Sequence, residues 1–249
     1  MRIFSPARAA LLTCIILLTT ANVLAQTGPV SRSRQTLLVL TDDWNSRRGE
    51  MRLFERTSGG PWIQNGPVIP VVLGFNGLGW GLGLHDDQEP GPVKREGDGR
   101  SVAGIFPLGS AFGSDPPGRL KLKIPYEQMT KDFECVDDPA SSHYNQVLDT
   151  SGVPERDWRS SEQMLHDHDG EYRLGVEVEH NLHPSVPGGG SCIFLHVWHS
   201  PTARTTGCTA MSLTDMERVA AWLDPDKRPL MAQYPESERE RFARMYGLP

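Results

Sequence analysis

Short apolar runs, each closed off by turn-forming residues, recur along most of the chain. Residues 36–41 hold Leu37, Leu38, Val39 and Leu40 in succession and predict a strand buried on both faces. Asp42, Asp43, Asn45 and Ser46 then supply turn chemistry. Residues 50–57, with Met51, Leu53 and Phe54 apolar, predict a second strand. Further strands are predicted at 68–73, 105–108, 120–125, 133–136, 172–179 and 191–197. The glycine-rich run from Gly74 to Leu84 reads as a tight loop against a sheet. It lacks the Gly-Lys-Ser/Thr ending and the following helix of a phosphate-binding loop. Residues 86–100 are polar, charged and glycine-rich, and read as a surface loop.

Helical spacing appears only near the C-terminus. Ser212 with Asp215 reads as a capping box ahead of Met216, Val219, Ala220 and Leu223. Ser237 with Glu240 reads as a second one, ahead of Phe242 and Met245. The pattern predicts a mainly β domain with loop insertions and C-terminal helices. A content of 25 glycines and 20 prolines in 249 residues agrees with a turn-rich β protein.

The first 25 residues differ in kind. Arg2 and Arg8 accompany an apolar run at 9–18, and Val23 and Ala25 occupy positions −3 and −1 of a cleavage site. The run is too short to span a bilayer comfortably. A cleaved signal peptide is therefore expected at 1–25, a short polar linker at 26–34 and one domain at 35–249. The expected location is the periplasm or cell envelope, with no stable membrane insertion after cleavage. Cleavage would carry the formal charge of −6 two units further negative, which argues against a nucleic-acid partner. It would also remove Cys14. Cys135, Cys192 and Cys208 would remain, an odd number for an oxidising compartment, with three pairings open.

Reactive residues concentrate between 191 and 208. An apolar strand delivers His196, a turn-rich segment follows, and the chain returns through Arg204, Thr205, Thr206 and Gly207 to Cys208. A cysteine just ahead of helical structure has its thiolate stabilised by backbone N–H groups. A nearby histidine can take the thiol proton, as in covalent acyl transfer. Gly207 lets the backbone approach a substrate and hold an oxyanion. The rival is a zinc site from His196, His199 and Cys208, or from His166, Asp167, His168 and Asp169. Neither set has the paired CxxC spacing or the HExxH helix of a strong zinc motif, and no metal or cofactor is expected. His166, His168, His180 and His183 read as residues of solvated loops.

Several blocks, in order, resemble the L,D-transpeptidase (YkuD-type) catalytic domain family, in the exported subgroup with a Thr-x-Gly-Cys motif. They are the segment from Lys94 to Arg100 with Gly104 to Gly109, then Cys135 to Pro139 with Tyr144 and Asn145, then Gly189 to His196, and finally Thr205 to Cys208. The resemblance implies β-sandwich-like mixed sheets with the cysteine in a cleft. It implies Cys208 as nucleophile, His196 as general base and Gly207 in the oxyanion turn. The implied substrates are peptidoglycan stem peptides, cross-linked through a thioester. Water as acceptor would make the enzyme a carboxypeptidase, and a non-catalytic wall-binding module is the remaining alternative; the presence of both His196 and Cys208 speaks against it. Two positions depart from the family: Thr206 stands where a histidine is usual, and Ala210 where asparagine or arginine is usual. Arg204 is accordingly expected to hold a substrate carboxylate, with hydroxyl contacts from Thr205 and Thr206. Cys192 lies on an apolar strand and Cys208 at a glycine turn. With the odd count, these contexts predict a Cys135–Cys192 bond and a free, reactive Cys208.

Overall fold

A computed structural model describes residues 28–86, 90–165 and 170–249. The expected signal peptide and the run from His166 to Asp169 lie outside the described residues. Of the expected linker, Val30–Arg32 forms a 3-10 turn, and Val30 packs into the core.

In chain order the strands are Gln35–Thr41 (β1), Arg48–Glu55 (β2), Ile63–Gln64 (β3), Ile69–Val72 (β4), Leu78–Trp80 (β5), Ser101–Gly113 (β6) and Tyr126–Gln128 (β7). They continue with Phe133–Val136 (β8), Val147–Asp149 (β9), Ser161–Gln163 (β10), Leu174–Val178 (β11), Phe194–Val197 (β12), Thr209–Met211 (β13) and Leu230–Pro235 (β14). The helices are Leu213–Trp222 (α1) and Arg239–Tyr246 (α2).

The main sheet runs β1-β14-β6-β11-β12-β13-β4-β2-β3. Because β1 also pairs with β2, the path closes on itself. The two layers of the expected sandwich are thus opposite walls of one mixed, closed sheet. Its lining is apolar: β1 is buried at every position, and α1 presses Met216, Val219 and Ala220 onto the same core. The Ser212 hydroxyl caps α1 by accepting from the Asp215 N–H, as its capping box predicts.

β14 answers to no predicted strand, yet it lies between β1 and β6 with all six residues buried. Its glutamine is satisfied internally. Gln233 donates to the Val102 carbonyl at 2.7 Å and accepts from the Thr209 hydroxyl at 2.9 Å. The strand predicted at 105–108 is part of the 13-residue β6. Within β6, Gly104 allows a close approach of another side chain. A Cβ on Gly104 would meet the His85 ring at 1.9 Å.

Three predicted elements are corrected. Residues 120–125 form no ladder; Leu120, Leu122 and Ile124 pack on the core, and pairing with β6 begins only after Pro125, at β7. The loop expected from Gly74 to Leu84 contains β5, parallel to β6. Ser237 caps nothing: it lies in a 3-10 turn, and α2 starts at Arg239 without a side-chain cap.

A second, smaller sheet, β10-β8-β9, forms a lobe beside the main one. The Cys135–Cys192 disulfide joins its central strand to the segment leading into β12, as predicted from the cysteine contexts. Cys208 is the free cysteine among the described residues.

Candidate active site

Side chains alternate across a strand, and β12 uses both faces. Leu195 and Val197 point into the main core, whereas Phe194 joins a separate apolar cluster with Cys208, Tyr172 and Cys135. His196 shares the face of Phe194. β13 runs parallel to β12, with His196 opposite Ala210 and Leu195 opposite Thr209. Cys208 immediately precedes β13, level with Phe194, whose N–H donates to Cys208 Sγ at 3.4 Å. Cys208 and His196 therefore sit on one face of adjacent strands, two residues apart along the ladder.

Both are buried, His196 at 4% exposure and Cys208 at 6%. His196 Nδ1 donates to the Val197 carbonyl at 2.8 Å. In the neutral ring this makes Nε2 the proton-accepting nitrogen. The ring also meets Tyr172 edge-on at 5.2 Å. The Cys208 thiol donates to the Cys192 carbonyl at 3.5 Å, and burial pushes the thiol up to about 12. The Phe194 N–H pulls the other way. No helix N-terminus assists, contrary to expectation: a strand follows Cys208, and α1 begins only at Leu213.

The approach to the nucleophile is a tightly tied turn. The Cys208 carbonyl accepts from the Thr205 hydroxyl at 2.6 Å and from the Ser101 hydroxyl at 2.7 Å. Thr205 Oγ1 also accepts from the Gly207 N–H at 3.3 Å, so its hydroxyl shapes the turn. A Cβ on Gly207 would lie 3.3 Å from the Arg100 carbonyl and 3.5 Å from Lys94 Nζ. The Arg100 carbonyl is the tighter of the two, and the ammonium stands at ordinary van der Waals distance.

Cys208 opens on a cleft of about 280 Å³ that Lys94, Glu96, Asp137, Glu162 and Thr206 help to line. Glu96 anchors one wall. Its Oε2 accepts from the Tyr144 hydroxyl at 2.5 Å and from Ser191 Oγ at 2.7 Å. Asp137 and Glu162 come from the lobe that the disulfide fastens beside Cys208.

Of the residues expected to bind substrate, Thr206 lines this cleft, exposed, and Thr205 is engaged in the turn. Arg204 is exposed and lies in a different depression with Arg47 and Arg48, its guanidinium over the Phe75 ring. The cation lining the cleft is Lys94, only 5% exposed, in the segment read as a surface loop. The signal for it was the Lys94–Asp98 spacing, a charge pair four residues apart inside a glycine-rich loop. His180 also departs from expectation. It is buried, its Nδ1 accepts from the Leu82 N–H, and burial drives it down to about 4. Among the described residues no three His, Cys, Asp or Glu side chains gather as metal ligands would.

A family model for the L,D-transpeptidase catalytic domain matches residues 30–230. No curated protein and no solved structure matches the chain.

Proposed function

The chain belongs to the L,D-transpeptidase catalytic domain family, and on that premise we propose that it cross-links peptidoglycan stem peptides through a thioester on Cys208. His196 acts as general base: the thiol proton passes to Nε2, and the thiolate attacks the carbonyl following an L-configured centre of the donor peptide. Donors of the Gly207–Cys208 turn stabilise the oxyanion. Collapse expels the residue beyond as an amine, which takes its proton from the imidazolium. An amine of a second stem peptide then attacks the thioester, gives its proton to His196 and frees the thiol.

One observation carries this reading. The free cysteine shares a sheet face with a buried histidine whose Nδ1 is fixed by a carbonyl, and the other two described cysteines are paired. The disulfide also supports export to the periplasm or cell envelope, an oxidising setting, and with it removal of residues 1–25 as a signal peptide. No helix among the described residues is long and apolar enough to cross a membrane. With Thr206 and Ala210 in place of the usual family residues, the substrate is held by other groups of the cleft.

The test is incubation of the purified chain with disaccharide tetrapeptides, followed by mass spectrometry. Cross-linked dimers are expected, and none from Cys208→Ala or His196→Ala. Shortened monomers alone would make the enzyme a carboxypeptidase. An intact substrate would overturn the catalytic reading.

A further inference from the structure

The Cys208 thiol is buried in an apolar cluster, and its charged neighbours are mainly acids. Glu162 and Glu171 both disfavour its thiolate, and Glu96 and Asp137 line the same cleft. Lys94 is the opposing charge. Its side chain is 4% exposed, a burial that lysine rarely accepts without cause.

The fold makes room for this lysine. A Cβ on Gly190 would lie 2.9 Å from Lys94 Cε, and one on Gly207 would lie 3.5 Å from Nζ. Gly190, beside the Ser191–Cys192 wall, leaves room for the side chain, and the contact distance to Gly207 sets the ammonium against the turn before the nucleophile. The ammonium is also fixed. Lys94 Nζ donates to Asp98 Oδ1 at 2.6 Å, and the same carboxylate accepts from the N–H groups of Arg95 at 2.7 Å and Arg100 at 2.9 Å. A lysine serving Asp98 alone could pair at the surface, without losing its hydration.

We propose that Lys94 is an electrostatic positioning residue of this site: its fixed ammonium, set against the Gly207–Cys208 turn, stabilises the Cys208 thiolate and then the oxyanion of acyl transfer. The proposal rests on Cys208 as the nucleophile. The proton leaving Sγ goes to His196, and Lys94 keeps its own throughout. The charge acts through a partly dry cleft, where it is screened less than in water.

Alkylation of Cys208 in the full chain tests this without substrate. In Lys94→Met, the iodoacetamide reaction at neutral pH should slow about tenfold, and its midpoint should move up by about one pH unit. The preference for anionic iodoacetate over iodoacetamide should fall as well, because the attracting charge is gone. Lys94→Arg should restore most of both. Asp98→Asn keeps the ammonium and removes its counter-charge, so it should shift the midpoint down, and it decides the matter should Lys94→Met not fold. A folded Lys94→Met with an unmoved midpoint and reagent preference would overturn the proposal, even with turnover lost. A chain that alkylates as expected yet forms no cross-links would overturn the proposed reaction and leave Lys94's role standing.

Discussion

In the closed sheet, β1 and β14 bury every residue, and the core between the walls is almost wholly aliphatic and aromatic. In the lobe, a charged residue is buried on the central strand, next to Cys135 and Val136. Glu134 accepts from Ser161 at 2.7 Å, from Arg156 at 2.8 Å and from the Trp158 indole at 3.3 Å. Beside it, Asp157 ties Ser141 and Ser142 together. Hydrophobic burial is non-directional and grows with area, so the sheet holds as one unit. The lobe packs Phe133, Val147 and Met164 against Phe112 and Phe194 of the sheet, but it leans further on directional polar contacts and one covalent bond, and can loosen without the sheet. The cleft lies where the two meet: Cys208 comes from the sheet, and Asp137 and Glu162 come from the lobe.

The largest effect should come from the sheet. Phe106, fully buried in β6, meets the His85 and His180 rings edge-on. Phe106→Ala should cost about 3–5 kcal/mol. Denaturant unfolding followed by tryptophan fluorescence should show one cooperative transition at a lower midpoint, lobe included. A two-step curve would break the comparison, because the sheet would not be the unit that carries the rest.

Next comes the staple. Replacing Cys135 and Cys192 by serine opens a link between residues 57 apart and should weaken the lobe's attachment by about 2–4 kcal/mol. Amide exchange should rise in β8, β9 and β10 and stay unchanged in β1 and β14. Turnover should fall with it, since Cys192 carries the carbonyl that meets the Cys208 thiol. Equal loss of protection in β1 would mean that lobe and sheet unfold together.

What was legible follows the same division. β1, α1 and the β12–Cys208 stretch carry strong periodicity or dense reactive chemistry, and their place in the fold agrees with the pattern. β14 escaped notice because Pro229 precedes it, Pro235 ends it and Gln233 interrupts its apolar run; only the partners on β6 and β13 make that glutamine a core residue. β9 and β10 are three residues each, too short for a period to show, and β10 is wholly polar. Lys94 reads as a solvated loop charge, because nothing local shows that Gly190, far along the chain, clears space for it. Arg204, adjacent in sequence to the nucleophile's turn, faces elsewhere, because the chain between β12 and β13 folds its charge away from the cleft.

A smaller effect is expected from acid. In the lobe, hydrogen bonds from Ser141, Ser142 and His143 hold Asp157 far below the usual carboxylate range. Burial raises Glu134, but Ser161, Trp158 and Arg156 together outweigh it and hold it low. A carboxyl depressed in the folded state contributes fully above its unfolded value, about pH 4, and the contribution is lost as pH falls through the folded value. Protection of the lobe amides, taken relative to intrinsic exchange at the same pH, should therefore fall below about pH 4 while β1 and β14 stay protected. Glu134→Gln should blunt that dependence. A lobe as acid-resistant as the sheet would show that its apolar contacts suffice.

The smallest effect is expected at Arg204. A substrate carboxylate bound there would make Arg204→Ala cost roughly 10- to 150-fold in kcat/KM, as a lost charge-assisted contact does. Its position argues otherwise. The side chain is exposed, shares its depression with Arg47 and Arg48, and does not line the Cys208 cleft. Its visible contact is with the Phe75 face, 5.8 Å from the ring centroid, worth about 0.5–1 kcal/mol at an exposed site. Arg204→Ala should therefore change kcat/KM on a soluble tetrapeptide by no more than about threefold, with the Cys208 alkylation profile unmoved. Asp137→Asn, on the lobe wall of the cleft, should change it more. If the ranking were reversed, substrate would be read by the sheet's outer loops and the lobe would serve only to cover the nucleophile.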